Sequence, residues 1–232
     1  MSLFSRRIPY DRKRLLDRAI VLERGWRWRK ALVIYRQVLA AEPHCAEIHA
    51  RVAPLLARTG RRIEAWESFK IAIGACLRDG DDARARTLQQ QAVRLLPDCP
   101  EPVRVLAKAE LARQRGHEAI RLLVEGSRRM SRLRSRGAAI LLLRDARTIE
   151  PWNAGVVLPL CRHLARDGQP AEALFLLDHL EQRSEGDQLR AVRAMQWRIE
   201  PSLRHSWRWL RAARDQRRQR SGAIGRAATS RS

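Results

Sequence analysis

Apolar residues recur through most of this chain at intervals of three and four, which is the period of an amphipathic α-helix. In residues 10–23, for example, Leu15, Ala19 and Leu22 lie on one broad face, and Gly25 is expected to break the helix. Proline ends other segments, because it cannot continue a helix and pushes the preceding residue towards extended geometry. The pattern predicts an all-α fold of about twelve helices and no strand.

The predicted helices alternate with short turns along the whole chain. They cover residues 10–23, 27–42, 44–59, 61–78, 82–96, 101–115, 118–129, 132–149, 153–166, 171–183, 187–199 and 202–220. Pro54 and Pro159 lie inside two of these segments, and both are expected to kink their helix.

An internal repeat of 54 residues is marked by a recurring Glu-Ala pair. The pairs are Glu64-Ala65, Glu118-Ala119 and Glu172-Ala173. The prolines that end the repeats have spacings of 54, 54 and 50 residues and are Pro43, Pro97, Pro151 and Pro201. A fixed period of this kind indicates stacked copies of one helical unit, each burying its apolar face against its neighbours. Such a chain is expected to present a surface and not to enclose an active site.

The spacing inside the helical hairpins resembles that of the tetratricopeptide repeat. Ala31 and Tyr35 are each followed 34 residues later by a counterpart, Ala65 and Phe69, and Gly60 lies at the turn between the paired helices. The resemblance implies a tetratricopeptide-like solenoid, right-handed or alternating. Because the period is 54 and not 34, we expect the middle helix of each unit to close one hairpin and open the next.

This resemblance divides the chain into a repeat region with basic segments at both ends. The repeats are expected at 10–43, 44–97, 98–151 and 152–201. A basic arm precedes them at 1–9, and a basic capping helix at 202–220 leads into a disordered tail at 221–232.

In the tetratricopeptide family the first helix of each pair lines a concave groove that binds peptides. The positions of this chain that match the groove are Arg51, Arg58, Arg104, Lys108, Arg162 and Arg166. Six cations on one side suit an acidic or carboxylate-ended protein segment. The alternative is a solvated arginine face without a ligand, and the sequence leaves both interpretations open.

The formal net charge is +22, carried almost wholly by arginine, and it would attract nucleic acid, anionic lipid or acidic protein. Tryptophan alternates with cations in residues 26–30 and 207–211. For Trp26 and Trp28 we favour packing over binding, whereas Trp209 is expected to project from its helix. The predicted polyanion-binding residues are Trp209, Arg208, Arg211, Arg214, Arg217 and Arg218.

Sequence signals of catalysis are missing from this chain. It has no Gly-rich phosphate loop, no nucleophile elbow and no His or Cys spacing typical of a metal site. We expect no enzymatic activity, no cofactor, no metal and no small-molecule substrate. Four scattered cysteines are expected to be free, partly buried thiols. An arginine-rich N-terminus without an apolar stretch gives no secretory signal, so the expected compartment is the cytoplasm.

These observations favour a non-enzymatic interaction scaffold that uses a basic helical-repeat groove to bind an acidic protein segment or to join a larger assembly. The alternative is a nucleic-acid or anionic-membrane binder that acts through its Arg/Trp-rich segments. Steep loss of binding with salt would indicate the alternative, because neutralised phosphates release counterions.

Overall fold

A computed structural model describes residues 11–201, and these residues form eleven α-helices without a strand. The helices are α1 (Arg12–Arg24), α2 (Trp28–Ala41), α3 (Ala46–Arg58), α4 (Arg62–Arg78), α5 (Asp82–Leu95), α6 (Pro100–Ala112), α7 (Gly116–Arg132), α8 (Arg136–Ile149), α9 (Ala154–Arg166), α10 (Pro170–Glu181) and α11 (Gly186–Ile199). The predicted all-α fold of successive packed helices is confirmed. The expected arm at 1–9, the capping helix at 202–220 and the tail at 221–232 lie outside the described residues.

The helices belong to two compact units, Met1–Ala109 and Glu110–Ser232, with the boundary inside α6. In the N-terminal unit α1 packs against α2, and α4 packs against both α3 and α5. In the C-terminal unit α7 packs against α8, and α10 packs against both α9 and α11. The predicted double role of the middle helix is therefore confirmed for α4 and α10.

The recurring alanine occupies one structural position. Ala65, Ala119 and Ala173 are each the fourth residue of a helix, and all three are fully buried. The same place in α2, α5 and α8 is held by Ala31, Ala85 and Ala139. Each of the six donates its N–H to the carbonyl of its helix's N-cap residue. A small side chain is needed here because two helices approach closely just after the turn.

Most of the helical hairpins share one kind of turn. The residue after the helix cap has a positive φ, and the next N–H donates to the carbonyl five residues earlier, as Arg61 does to Leu56 over 2.9 Å. In three such turns the positive-φ residue is glycine, including Gly60 at 84°. Between α1 and α2, however, it is Trp26 at 58°, while Gly25 has φ −81°. Gly25 follows the end of α1 as expected, but the turn itself depends on Trp26.

Each unit has an apolar core built from the inward faces of its helices. In the N-terminal unit Tyr35 and Phe69 are fully buried, and the Tyr35 hydroxyl donates to Glu23 Oε2 over 2.8 Å. That carboxylate and burial raise the pKa of Tyr35, burial being the larger cause. Helices α3 and α9 continue through Pro54 and Pro159, so the expected kinks do not end either helix.

All four cysteines are free thiols, as predicted. Cys45 and Cys99 are half-buried, and Cys76 and Cys161 are buried. Burial raises the pKa of Cys161 to about 12, and its Sγ donates to the Ala173 carbonyl over 3.4 Å.

Candidate anion-binding clefts

A cleft in the C-terminal unit brings three arginines together. Arg162 and Arg166 lie one turn apart on α9, and Arg198 comes from the last turn of α11. The cleft has a volume of about 450 Å³. Its remaining wall is largely apolar and consists of Ala165, Pro170, Met195 and Ile199.

The arginines of this cleft are not neutralised by an acidic side chain of the described residues, unlike several other arginines of the unit. Within residues 11–201, Arg162, Arg166 and Arg198 form no ion pair. In contrast, Arg144, which does not line the cleft, pairs with Glu172 over 2.8 Å. The positive charge of the cleft is therefore not neutralised by the described part of the chain, and it favours an anionic ligand.

The pKa of His163 is affected by the positive charge of these arginines. His163 lies between Arg162 and Arg166 in sequence and is only 9% exposed. Burial lowers its pKa, and the charges of Arg166, Arg162 and Arg136 lower it further. A neutral imidazole is thus favoured beside the three guanidinium groups.

Helix α11 is positioned against α10 by a buried amide. The Gln196 side chain is 1% exposed and donates from Nε2 to Asp178 Oδ1 over 2.7 Å and to Glu181 Oε2 over 3.0 Å. Arg198 follows Gln196 by two residues on the same helix. These hydrogen bonds therefore fix the position of the helix turn that carries the Arg198 guanidinium group.

A second cleft lies in the N-terminal unit, beside the turn between α1 and α2. Its volume is about 670 Å³, and it is lined by Trp26, Arg27, Trp28, Arg29, Lys30, Arg58, Thr59 and Gly60. The Trp26 and Trp28 ring centroids are 5.5 Å apart with planes tilted by 41°, and Arg58 lies 5.1 Å above the Trp28 ring. Trp28 also packs against the core of the unit.

The expectation that both tryptophans of residues 26–30 pack is wrong for one of them. Trp28 is half-buried, but Trp26 is 75% exposed. The positive φ of Trp26 explains the difference, since it turns the side chain away from the helices that flank it. The spacing of residues cannot show this, because glycine and tryptophan occupy the same place in related turns.

The predicted groove residues are distributed over both units. Arg162 and Arg166 share the C-terminal cleft, and Arg58 belongs to the N-terminal one. Arg51 is half-buried and interacts with the Tyr35 hydroxyl. It therefore lies at the edge of the apolar core.

The two remaining groove residues, Arg104 and Lys108, lie one turn apart on α6, half-buried and exposed respectively. The polyanion-binding residues of the expected capping helix, Trp209 with Arg208, Arg211, Arg214, Arg217 and Arg218, lie outside the described residues and stay a prediction.

Two features of the C-terminal unit were not predicted from the sequence. One is Arg198, whose only signal is its place in the last turn before Pro201. The other is an aromatic stack in which Trp152 lies 5.7 Å from His179 and 4.6 Å from the Arg183 guanidinium group. Trp152 precedes α9, whereas His179 and Arg183 lie four residues apart at the end of α10, so no local sequence pattern predicts the stack.

The described residues hold no cluster of three His, Cys, Asp or Glu side chains suited to a metal ion. Within the same residues, none of the helices has the length and apolar character needed to cross a membrane.

Comparison with known proteins finds low-scoring similarity to solved structures. No protein-family model matches the chain, and no curated protein matches it either. Among solved structures it is similar to MamA, with a TM-score of 0.34, 14% identity, and coverage of 88% of this chain and 96% of that one.

Two further similar structures have comparable scores. A tetratricopeptide repeat protein from Parabacteroides merdae ATCC 43184 gives a TM-score of 0.33 at 11% identity, covering 88% of this chain and 91% of its own. PilF of Pseudomonas aeruginosa gives 0.32 at 13% identity, covering 91% and 93%. None of these likenesses assigns a function to this chain.

Proposed function

We propose that this chain is a non-enzymatic interaction scaffold that binds an acidic protein segment, alone or within a larger assembly, in the cytoplasm. The observation that carries the proposal is the C-terminal cleft, where Arg162, Arg166 and Arg198 surround an apolar wall without an acidic partner among the described residues. Guanidinium groups bind carboxylates through paired hydrogen bonds, so three of them can hold successive Asp or Glu side chains.

The apolar wall adds a second requirement for the ligand. Met195 and Ile199 lie beside the arginines, so the methylene groups of Glu or a neighbouring aliphatic residue would be covered on binding. A bare inorganic anion would leave that wall in water. The cleft therefore suits an acidic peptide that also carries apolar side chains.

The other predicted groove residues extend the proposal to the N-terminal unit. Arg104 and Lys108 present two cations on one side of α6. In an interaction scaffold such surfaces take further parts of a partner, and stacked helices provide them with little ordering cost on binding.

The direct test measures binding of a fluorescently labelled Glu/Leu-rich peptide to the full chain at moderate salt. Arg166→Glu and Arg198→Glu are each expected to weaken binding about tenfold or more, because each reverses a charge that contacts the ligand. Arg132→Glu is the matched control, since Arg132 is exposed at the end of α7 and is absent from the cleft residues. Equal affinity of Arg166→Glu, Arg198→Glu and the control would refute the proposal.

A second peptide separates recognition of apolar side chains from electrostatic attraction alone. This peptide has the same net charge as the Glu/Leu-rich peptide but contains neither leucine nor lysine. It should bind more weakly than the Glu/Leu-rich peptide if the ligand contacts the apolar wall. Replacing Ile199, a half-buried residue of the apolar wall, by Gln should remove that difference while leaving the response to salt unchanged. If both peptides bind equally to the wild-type protein, the cleft acts only through charge.

A further inference from the structure

Trp26 is held in a conformation that a tryptophan rarely adopts. Its φ of 58° lies in the left-handed region, where three equivalent turns have glycine and two have the polar residues Gln114 and Arg134. The strain places a large aromatic ring in solvent, 75% exposed. Strain of this kind is concentrated at functional sites, where the display of a side chain outweighs its cost.

The Trp26 ring is supported on its inner side by the neighbouring residues Trp28 and Arg58. Trp28 packs against the core of the N-terminal unit and lies 5.5 Å from Trp26, while Arg58 covers the Trp28 ring from α3. The gap between the two indoles is too small to admit another ring. The outward face of Trp26 is therefore the surface on which a planar group can stack.

Cations surround this aromatic face without neutralising partners. Within the described part of the chain, Arg27, Arg29, Lys30 and Arg58 form no ion pair, and the Arg58 guanidinium group lies over the Trp28 ring. Arg61, one residue beyond the cleft's Gly60, is in contrast paired with Glu64. The charge of the cleft is thus available to an external anion.

We propose that this N-terminal cleft binds single-stranded nucleic acid, with a base stacked on Trp26 and phosphates held by Arg27, Arg29, Lys30 and Arg58. A stacked aromatic platform next to a row of cations is the arrangement that binds unpaired bases without regard to sequence. This proposal concerns a different unit from the acidic-segment cleft and does not depend on it.

Other anions fit the same residues less well. An acidic peptide would satisfy the cations but would leave the Trp26 ring in water. A membrane surface would require several apolar side chains projecting together, whereas Trp28 is half-buried and Trp26 stands among charges. A nucleic acid duplex keeps its bases stacked inside and offers no free face to Trp26.

The test measures binding of a fluorescently labelled single-stranded oligonucleotide of about 12 nucleotides to the full chain near physiological ionic strength. Loss of the stacked base in Trp26→Ala is expected to weaken binding about 5- to 100-fold. Trp26→Phe should retain most of the affinity, because phenylalanine also offers a face for stacking. Arg29→Glu combined with Lys30→Glu should weaken binding and reduce its dependence on salt.

Two controls address folding and the basic residues beyond 201. Trp26→Gly suits the positive φ, so it should fold normally and still lose affinity. Ultraviolet crosslinking followed by mass spectrometry should place a nucleotide adduct on Trp26, whatever other segments also contact the strand. Arg132→Glu, in the other unit, should bind the oligonucleotide like the wild-type protein.

Three outcomes would overturn the proposal. One is unchanged oligonucleotide affinity in Trp26→Ala and Trp26→Gly. Another is equal binding of the single strand and its duplex, with no adduct on Trp26. The third is a loss of binding to phosphatidylglycerol vesicles in Trp26→Ala while the oligonucleotide still binds, which would identify the cleft as a membrane contact. Acidic-peptide binding at Arg162 and Arg166 should not change in any of these variants, so the two proposals fail separately.

Discussion

Arg193 of α11 donates from Nε to Glu181 Oε1 of α10 over 2.9 Å, with side chains only 21% and 8% exposed. The same carboxylate accepts from Gln196, so one buried acid joins two residues of α11 to α10. In a protein with a large excess of arginine, this acid is placed where it fixes the helix that carries Arg198.

Replacing Glu181 by Ala should destabilise the C-terminal unit by about 2–4 kcal/mol, because it removes the buried carboxylate that Arg193 and Gln196 share, while Gln196 keeps its bond to Asp178. Glu172→Ala is the matched control. Its bridge to Arg144 is equally short, at 2.8 Å, but both side chains are exposed by more than a third. It should cost under about 1 kcal/mol. Urea unfolding measures both, and equal losses would contradict the buried network.

The pKa of His163 should respond to the charge of the C-terminal cleft. Because this pKa is lowered in the folded protein, its contribution to stability is present above about pH 6.5, the ordinary value, and is lost as the pH falls below it. Arg166→Gln should raise the pKa of His163, since it removes the largest of the three nearby charge effects. A bound acidic peptide should raise it as well. NMR titration of the imidazole measures these shifts, and a pKa that ignores both changes would refute the electrostatic account.

The four thiols should separate into two classes of reactivity. Cys161 is fully buried and its pKa is raised to about 12, so almost no thiolate is present at pH 8. Cys45 and Cys99 are half-buried and should react with a maleimide well before it. Mass spectrometry after timed labelling of the native protein gives the order. Labelling of Cys161 as fast as Cys45 would mean that α9 opens readily.

The turns offer a matched pair of substitutions. Gly60→Ala should lower stability by about 1 kcal/mol, because φ is 84° there even though an added methyl group would meet no atom within 4 Å. Trp26→Gly should leave stability unchanged or raise it by up to about 1 kcal/mol, since relief of strain offsets the lost contact with Trp28. Thermal unfolding tests both. A clear loss of stability in Trp26→Gly would show that the Trp26 ring stabilises the fold by packing and is not simply held in solvent for a ligand.

The sequence was sufficient to predict the helices because their determinants are local. Apolar spacing places all eleven described helices to within a few residues, and the 54-residue repeat alone singles out the alanine that is buried. Periodicity reflects which side of a helix meets its neighbour. The fold class follows from that alone.

The clefts were predicted only in part, because they depend on contacts between segments distant in sequence. Arg162 and Arg166 could be placed together, since they are one turn apart on a single helix. Arg198 could not be added, because its proximity to them results from the packing of α11. Likewise, the exposure of Trp26 depends on a backbone dihedral angle, and residue spacing carries no information about its sign.

The positive-φ position of the turns has a consequence for how such a chain can change. At Gly60, Gly80 and Gly168 a new side chain would extend into open space, and Trp26, Gln114 and Arg134 show that the backbone accepts one there. A single substitution at this position can therefore add an exposed side chain between two helices without changing the packing of either helix. Each turn is a place where evolution, or a protein engineer, can add a recognition element for roughly 1 kcal/mol of lost stability.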